Sequence, residues 1–423
     1  MRTSAFVGGL FITFLLGCDT QSPIPASDKR TTARVAVTKA DDFLQIYTNG
    51  LFRGSVVYGS ENQMGMIDLT DWLVDGNNEI RVTAYNTGGG MAAFFKLWVD
   101  DKLRLDVEDA DSSQAPGQFY DHSELIDCTG HGNKIVAVSV ESDVTGDVYI
   151  NGHYSGFTTP TVLRLVEGNY QFGIGGINDR YKVLNLHIDD TNNAVHFEDD
   201  EWLPPRAWKI LLVAVRKMNL GKRGNNQETS LTDQDIELAR QHLEVARSKW
   251  IEPLSFGLVT WTIEQLVVEG TIGHVPDDDD QIDAARLLEE AHLDFLKSQF
   301  DCLVYFWPEI APDGSDPLGC CRAVGGGEGI SVSNNWIRRS DQFPHEVFLH
   351  EFLHVAEQSY FKKGFYNGLN GLHGAEEHGF QEVDGSWVHW YRIFMRGQVA
   401  EPGPFYVGIP PEAWINSTRV TSE

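Results

Sequence analysis

Short runs of alternating apolar and polar residues, separated by turn residues, fill the first half of the chain. Residues 79–86, EIRVTAYN, alternate as a half-buried strand does, and residues 43–47 lead into Asn49-Gly50, a strong β-hairpin signal. Several such strands joined by polar turns favour an antiparallel β-sandwich. The pattern therefore predicts an all-β domain over residues 32–130.

A second and smaller set of short strands follows. Residues 135–140 alternate, residues 148–150 run into a tight turn, and residues 163–170 continue the pattern. These strands predict a second all-β sandwich domain over residues 134–201.

Helical spacing begins at about residue 203. Thr232 followed by Asp235 suits a capped helix start, and apolar residues then recur at helical intervals. The other predicted elements are a helix at residues 282–297 and strands at residues 258–261 and 303–307. The fold class predicted is multidomain, with two N-terminal all-β sandwich domains followed by an α+β domain over residues 203–423.

One helix of the last domain carries the most informative chemistry. The run PHEVFLHEFLHVAEQSYF has no internal Gly or Pro and predicts a mostly buried helix from Pro344. Its apolar body is interrupted by His350 and His354, four residues apart on one face, with Glu351 beside them. Two imidazoles at this spacing can reach one Zn²⁺ at about 2.0–2.1 Å, and Glu351 can act as the general base for a water. A surface helix with incidental histidines is the alternative.

A third ligand is needed, because a catalytic zinc site normally has three protein ligands plus water. The stretch after the helix offers His373 and Glu376 as candidate metal ligands. A histidine and a carboxylate at this spacing can also act together as ligand and orienting partner. The other candidates in the same stretch are Glu377, His378 and Glu382.

These motifs resemble the zincin metallopeptidases. The element order before the H-E-x-x-H helix is similar to the N-terminal half of a zincin domain, and LHGAEEHGF with WYRIFMRG is similar to uncharacterised bacterial zincin-like domains. Glu357 and Tyr360 stand where metzincins have glycine and histidine, and the thermolysin-like continuation is absent, so the resemblance is to a gluzincin-like or an unassigned zincin. It implies a Zn²⁺ cofactor, a substrate-binding strand with Gly329 and Ser331, and an oxyanion-stabilising side chain. The similar domains have a Leu-His-x-x-Glu element after the active helix, so the resemblance makes His373 and Glu376 the preferred candidates for the third ligand. Candidates for that stabiliser are Tyr360, Tyr366, His378, His389 and Tyr391.

Both β units also resemble known modules. Residues 32–130, with ADDFLQIYTNG and IDLTDWLVDGNNEIRVTAYNTGGG, resemble the galactose-binding-like modules attached to glycosidases. That resemblance implies a carbohydrate partner, with Trp72, Tyr85 and Trp98 as stacking candidates, although core aromatics fit the same pattern. The segment VYINGHYSGFTTPTVLRLVEGNYQF resembles a PEGA domain, a small β unit of bacterial envelope proteins that carries no chemistry of its own.

The N-terminus resembles that of a bacterial lipoprotein. An apolar run too short to span a membrane ends in LLGC, which is similar to a lipobox with Cys18 as the lipidated residue. The resemblance implies a signal peptide at residues 1–17, a flexible tether at residues 18–31 and an extracytoplasmic position in the bacterial cell envelope. An ordinary signal peptide with an incidental cysteine is the alternative.

Composition narrows the partners. A formal net charge of -28 argues against nucleic acid as a partner, because phosphate binding needs a basic surface. The lipid anchor is the only membrane contact expected. Cys302 can pair with Cys320 or Cys321 in an oxidising compartment, and the spacing does not decide which.

The function predicted from these features is a membrane-anchored, extracytoplasmic zinc metallopeptidase that acts on a protein or glycoprotein substrate. Glu351 is the predicted catalytic base. One alternative is an envelope carbohydrate-binding or adhesin lipoprotein with an inactive zincin domain. Another is a zinc hydrolase that acts on a non-peptide bond.

Overall fold

In a computed structural model of the protein, strands dominate the first half of the chain. A parallel sheet with helices makes up the second half. The structure describes residues 30–41, 43–57, 65–86, 91–111, 117–128, 130–176, 179–219, 228–272, 296, 298–308, 329–338, 344–362, 371–401 and 405–416. The protein is therefore mostly β, with several sheets, as the sequence predicts.

The first strands form two antiparallel sheets that face each other across one apolar core. One sheet has the order β4-β1-β6-β7 and the other β3-β2-β5-β8. Asn49 and Gly50 both have positive φ at the β2–β3 turn, which confirms the predicted hairpin. The strands are β1 (Ala33–Asp41), β2 (Phe43–Thr48), β3 (Leu51–Val57), β4 (Gly65–Asp68), β5 (Gly76–Asn86), β6 (Met91–Val99), β7 (Lys102–Asp111) and β8 (Gly117–Cys128), with a 3₁₀ turn at Thr70–Trp72.

The second β unit also consists of two facing sheets, with the orders β11-β10-β13-β14 and β12-β9-β15. Valines of β9 and Phe172 of β13 lie in its core. The strands are β9 (Ile135–Ser142), β10 (Gly146–Ile150), β11 (His153–Thr158), β12 (Thr161–Val166), β13 (Gly168–Gly176), β14 (Tyr181–Ile188) and β15 (Ala194–Phe197).

The third group is built on a parallel sheet. β16 pairs in parallel with β18 on one side and β19 on the other, β19 pairs in parallel with β20, and β17 pairs antiparallel with the end of β16. Helix α1 lies between β16 and β18 in the chain, as a crossover helix does. Thr232 and Asp235 form the predicted capping box. The strands are β16 (Arg206–Asn219), β17 (Glu228–Ser230), β18 (Val259–Ile272), β19 (Cys302–Trp307) and β20 (Gly329–Ser333).

Helices cover this sheet. Helix α3 packs beside β20, and its Phe352 ring lies against Trp208 of β16 and Trp261 of β18 at centroid distances of 4.9 and 5.0 Å. The elements are α1 (Asp233–Ala246), which continues through a π-helical turn (Arg247–Ile251) and a short turn (Glu252–Leu254), then α2 (Asn334–Arg338), α3 (Pro344–Lys362), α4 (Val388–Phe394), β21 (Val399–Glu401), β22 (Phe405–Val407) and α5 (Pro411–Asn416).

The second β unit is joined to the third group by buried side chains. The Arg396 guanidinium, just after α4, donates to Asp179 Oδ1 at 2.6 Å and lies 3.9 Å from the centroid of the Phe256 ring. Tyr149 of β10 packs on the same Phe256 ring and donates its hydroxyl to the Arg396 carbonyl at 2.9 Å. We call Asp179, Phe256, Tyr149 and Arg396 the Arg396 junction.

Some predictions lie outside the described residues. These are the signal peptide at residues 1–17, Cys18 with most of the tether at residues 18–31, most of the helix at residues 282–297, and Cys320, Cys321 and Tyr366. Within the described part of the chain, no helix has both the length and the apolar character needed to cross a membrane.

Candidate metal centre

Three histidines converge beside the middle of α3. His350 and His354 lie one helical turn apart, and His373 lies on the turn that spans residues 371–380. Each offers one ring nitrogen, and the three nitrogens lie within 4.8 Å of one another. The structure thus brings together the two helix histidines and one of the two preferred third ligands.

The closest pair of nitrogens has the spacing expected of two ligands to one ion. His354 Nε2 and His373 Nε2 lie 3.1 Å apart. Two nitrogens bound tetrahedrally to Zn²⁺ at about 2.0–2.1 Å are separated by about 3.4 Å. Neutral imidazoles that present lone pairs are also ligands that zinc accepts, so the donor set fits this metal.

Glu357 fixes the tautomer of His354. Its Oε2 lies 3.2 Å from His354 Nδ1, and an ionised carboxylate can only accept a hydrogen bond. Nδ1 of His354 therefore carries the proton and donates it, which leaves the Nε2 lone pair facing His373. Burial alone lowers the pKa of His354, but the hydrogen bond and charge of Glu357, with the charge of Glu351, raise it overall.

His350 is held on its other side by Tyr391 of α4. The Tyr391 hydroxyl lies 3.0 Å from His350 Nδ1. With Nδ1–H as the donor in this hydrogen bond, Nε2 of His350 keeps its lone pair for a metal. Burial, together with the charges of His354 and His373, lowers the pKa of His350 to about 3. This imidazole is neutral at physiological pH and can act as a ligand without first losing a proton.

Glu351 sits in the wall of the same site. It is only 6% exposed. Its charge raises the pKa of both His354 and Tyr391, which places the carboxylate within electrostatic reach of the histidine cluster. A buried carboxylate beside a metal-binding face suits proton transfer more than solvation.

The turn that carries His373 is held through the preceding residue. The backbone N–H of Leu372 donates to Glu357 Oε1 at 2.9 Å, and Trp390 Nε1 donates to the Leu372 carbonyl at 2.7 Å. The Leu372 side chain is buried in the core shared with α3. The residue His373 as a whole is exposed. Partial burial of its imidazole, together with the charge of His354, lowers its pKa.

The remaining predicted ligands lie outside the cluster. Glu376, the other preferred candidate, is exposed on the turn and does not join the three histidines. On a turn, three residues of separation do not bring two side chains to one face as they do on a helix. Glu377 and Glu382 are also exposed, and the ring of His378 stacks on Trp390 at 5.5 Å.

The described candidates for oxyanion stabilisation differ in their burial and contacts. Tyr360 is fully buried and packs on Trp414 and Trp208, away from solvent. Tyr391 contacts His350 directly, so it acts first as a partner of that imidazole. His389 is exposed on α4.

Gly329 and Ser331 occupy β20 with their side-chain positions engaged inside the protein. The Ser331 hydroxyl accepts a hydrogen bond from Trp307 Nε1 at 2.8 Å. A Cβ on Gly329 would come within 2.4 Å of the Leu303 carbonyl, so the neighbouring strand requires glycine there. Any contact that these residues make with a substrate is therefore a backbone contact.

Glu357 is the residue of the site that the sequence reasoning did not assign. In the sequence, Glu357 stands only as a departure from the metzincin pattern, which has glycine three residues after the second histidine. A carboxylate at that spacing lies on the same helix face as the histidine, and histidine ligands commonly donate to a carboxylate. That combination was the signal available in the sequence.

Two of the three aromatic residues proposed to stack on a sugar have rings that pack inside the protein. Tyr85 is buried. Trp72 lies under the Arg53 guanidinium, 4.0 Å from the ring centroid, and packs against Tyr170 of the second β unit. Trp98 is half-buried on β6. The first two rings therefore serve the interior and the contact between the β units.

Comparisons with known proteins give little. No protein-family model matches the chain, and no curated protein matches it. One solved structure that matches is the Bacillus anthracis TIE protein, at 13% identity and a TM-score of 0.13. The match covers 44% of this chain and 37% of that chain. Such a likeness carries no argument about fold or function.

Proposed function

We propose that the protein is a zinc-dependent peptidase whose metal is held by His350, His354 and His373. The observation that carries the proposal is the convergence of three ring nitrogens within 4.8 Å, with the buried Glu351 beside them. Zinc bound there supplies a Lewis acid that polarises a carbonyl and acidifies a water.

The side chains of this chain would then perform the proton transfers. Glu351 takes a proton from the attacking water and returns it to the leaving amine, so that the carboxylate is regenerated. Glu357 and Tyr391 hold the imidazoles of His354 and His350 in fixed orientations. The zincin assignment rests on the H-E-x-x-H helix and stays part of this proposal, whereas a histidine as third ligand does not support the gluzincin-like subgroup, in which that ligand is a glutamate.

The location of the activity is also proposed. The lipobox-like LLGC sequence at Cys18 and the PEGA-like unit favour a lipid-anchored protein outside the cytoplasm of a bacterium. A protein or glycoprotein substrate fits that compartment. A carbohydrate-binding role for the first sandwich is less favoured, because Trp72 and Tyr85 are engaged within the protein.

The decisive experiment compares metal content and activity in the full chain. We expect about one Zn²⁺ per chain in the purified protein, with chelator-sensitive cleavage of a denatured protein mixture that Zn²⁺ restores. Glu351→Gln should keep the zinc and lose activity by roughly 10²–10⁴-fold, the usual share of a general base.

Glu264→Gln is the matched control, because Glu264 is exposed on β18 and lies outside the site. It should behave as the wild type does. Full activity in Glu351→Gln at full zinc occupancy would remove Glu351 from the proposed role. Zinc bound without any peptide cleavage would leave a metal-binding protein and exclude the peptidase.

A further inference from the structure

The third histidine is placed by side chains rather than by regular structure. His373 lies on an irregular turn and is exposed, yet its Nε2 lies 3.1 Å from that of His354. An exposed side chain on a turn has many conformations available, and fixing it costs conformational entropy. Something must hold the turn against α3.

Glu357 makes both of the contacts that this requires. One carboxylate oxygen accepts a hydrogen bond from the backbone N–H of Leu372, which directly precedes His373. The other accepts a hydrogen bond from His354 Nδ1. The side chain is only 13% exposed, so water competes weakly for these hydrogen bonds. A single carboxylate thus touches one ligand and the backbone that carries another.

We infer that Glu357 is a positioning residue that couples the helix half of the metal site to the His373 turn. It orients His354 with Nε2 toward the metal, and it anchors Leu372 so that His373 reaches the same point. The inference rests on the proposed metal site, and it assigns to Glu357 a role in metal affinity that is separate from proton transfer.

The two effects of Glu357 can be separated chemically. Glu357→Gln keeps an oxygen that can accept from the Leu372 N–H, but its amide N–H₂ can only donate toward His354 Nδ1. The variant therefore favours the tautomer with the proton on His354 Nε2, which blocks that nitrogen as a ligand. Glu357→Ala removes both contacts without imposing a tautomer.

The test measures the zinc affinity of the full chain by competition with a chromophoric chelator. Loss of a group that orients a metal ligand typically weakens binding by about 10–100-fold, and we expect this of both variants. Glu357→Gln should bind no more tightly than Glu357→Ala. Circular dichroism of the metal-free variants verifies folding, and the near-isosteric glutamine keeps the test valid if the alanine variant unfolds.

A double-mutant cycle with His373→Ala distinguishes positioning from general support of the fold. If Glu357 acts partly by placing His373, its replacement should cost clearly less affinity when His373 is already absent. The d–d absorption of Co²⁺ bound in place of Zn²⁺ should also change in Glu357→Gln. A purely structural role predicts additive losses and an unchanged spectrum in the molecules that still bind Co²⁺.

The outcomes also separate this inference from the proposed function. Wild-type affinity in Glu357→Gln, or strictly additive losses in the cycle, would overturn the role of Glu357 alone. A wild-type chain that binds no Zn²⁺ would overturn the metal site and this inference with it. Weakened binding in the Glu357 variants, in a protein that cleaves no peptide, would support the inference and reject the peptidase. Glu264→Gln should keep wild-type affinity throughout.

Discussion

Helix α3 and the turn at residues 371–380 supply histidines to the proposed metal site in two different ways. On α3, His350 and His354 share a face because the helix repeat puts them there, and both are largely buried. On the turn, His373 is exposed and is placed by Glu357 and Trp390 acting on Leu372. The difference shows that two ligands follow from local geometry and the third from long-range contacts.

Removing a helix ligand should have the largest effect. His354→Ala deletes a ligand nitrogen and also one of the two partners of Glu357, so the contact that couples the helix ligand to the His373 turn is lost as well. We expect the chain to lose stoichiometric zinc and all measurable chelator-sensitive cleavage, as checked by metal analysis and a peptidase assay. His345→Ala is the control on the same helix, since that ring stacks on Trp250 at 5.8 Å outside the cluster. Retained zinc in His354→Ala would break the comparison.

Removing the turn ligand should weaken the site without abolishing it. His373→Ala leaves the helix pair and the Glu357–Leu372 contact in place, so we expect residual zinc binding of lower affinity and little activity. Glu376→Ala should leave zinc affinity unchanged, because that side chain is outside the cluster. Titration of both variants against a competing chelator decides the matter, and the reverse ranking would return the third ligand to Glu376.

Acid should distinguish His350 from His354 in the metal-free protein. The pKa of His350 falls from its ordinary 6.5 to about 3, so the unfolded chain takes up this proton and the folded one does not. The free energy of unfolding therefore decreases as the pH falls below about 6.5, by about 2 kcal/mol at pH 5. His354, with its raised pKa, has the opposite sense and stabilises the fold at low pH.

Denaturant unfolding of chelator-treated wild type and His350→Asn, at pH 7.5 and pH 5, isolates the His350 contribution. The variant should lose less stability on acidification than the wild type by about the same 2 kcal/mol. If the two proteins lost the same unfolding free energy between pH 7.5 and pH 5, His350 would not be protected from protonation in the fold.

The smallest effect should come from loosening one anchor of the turn. Trp390→Phe removes the donor to the buried Leu372 carbonyl, which should cost about 1–2 kcal/mol of unfolding free energy and lower zinc affinity only modestly. Trp98→Phe makes the same substitution at a half-buried position of the first sandwich and should leave zinc affinity unaltered. An affinity loss larger than that of Glu357→Ala would mean that the turn depends on Trp390 more than on Glu357.

The same division governs what the sequence could predict. The Asn49-Gly50 hairpin, the Thr232–Asp235 capping box and the helix with its two histidines follow from residues a few positions apart. The choice of His373 over Glu376 does not, because it depends on how a turn folds against α3 and α4. Nor does spacing along the chain indicate that Tyr391 would contact His350 or that Glu357 would hold Leu372.

The Arg396 junction bears on how the protein can be dissected. The change in composition near residue 203 suggests a place to cut the chain, but a fragment that begins there would lose Asp179 and Tyr149. The guanidinium of Arg396 would lose its ion-pair partner, and the aromatic face of Phe256 would meet water. Arg396 directly follows the helix that carries Tyr391 and Trp390. The smallest recombinant fragment in which α4 keeps its native surroundings therefore starts before β9, with the second β unit included.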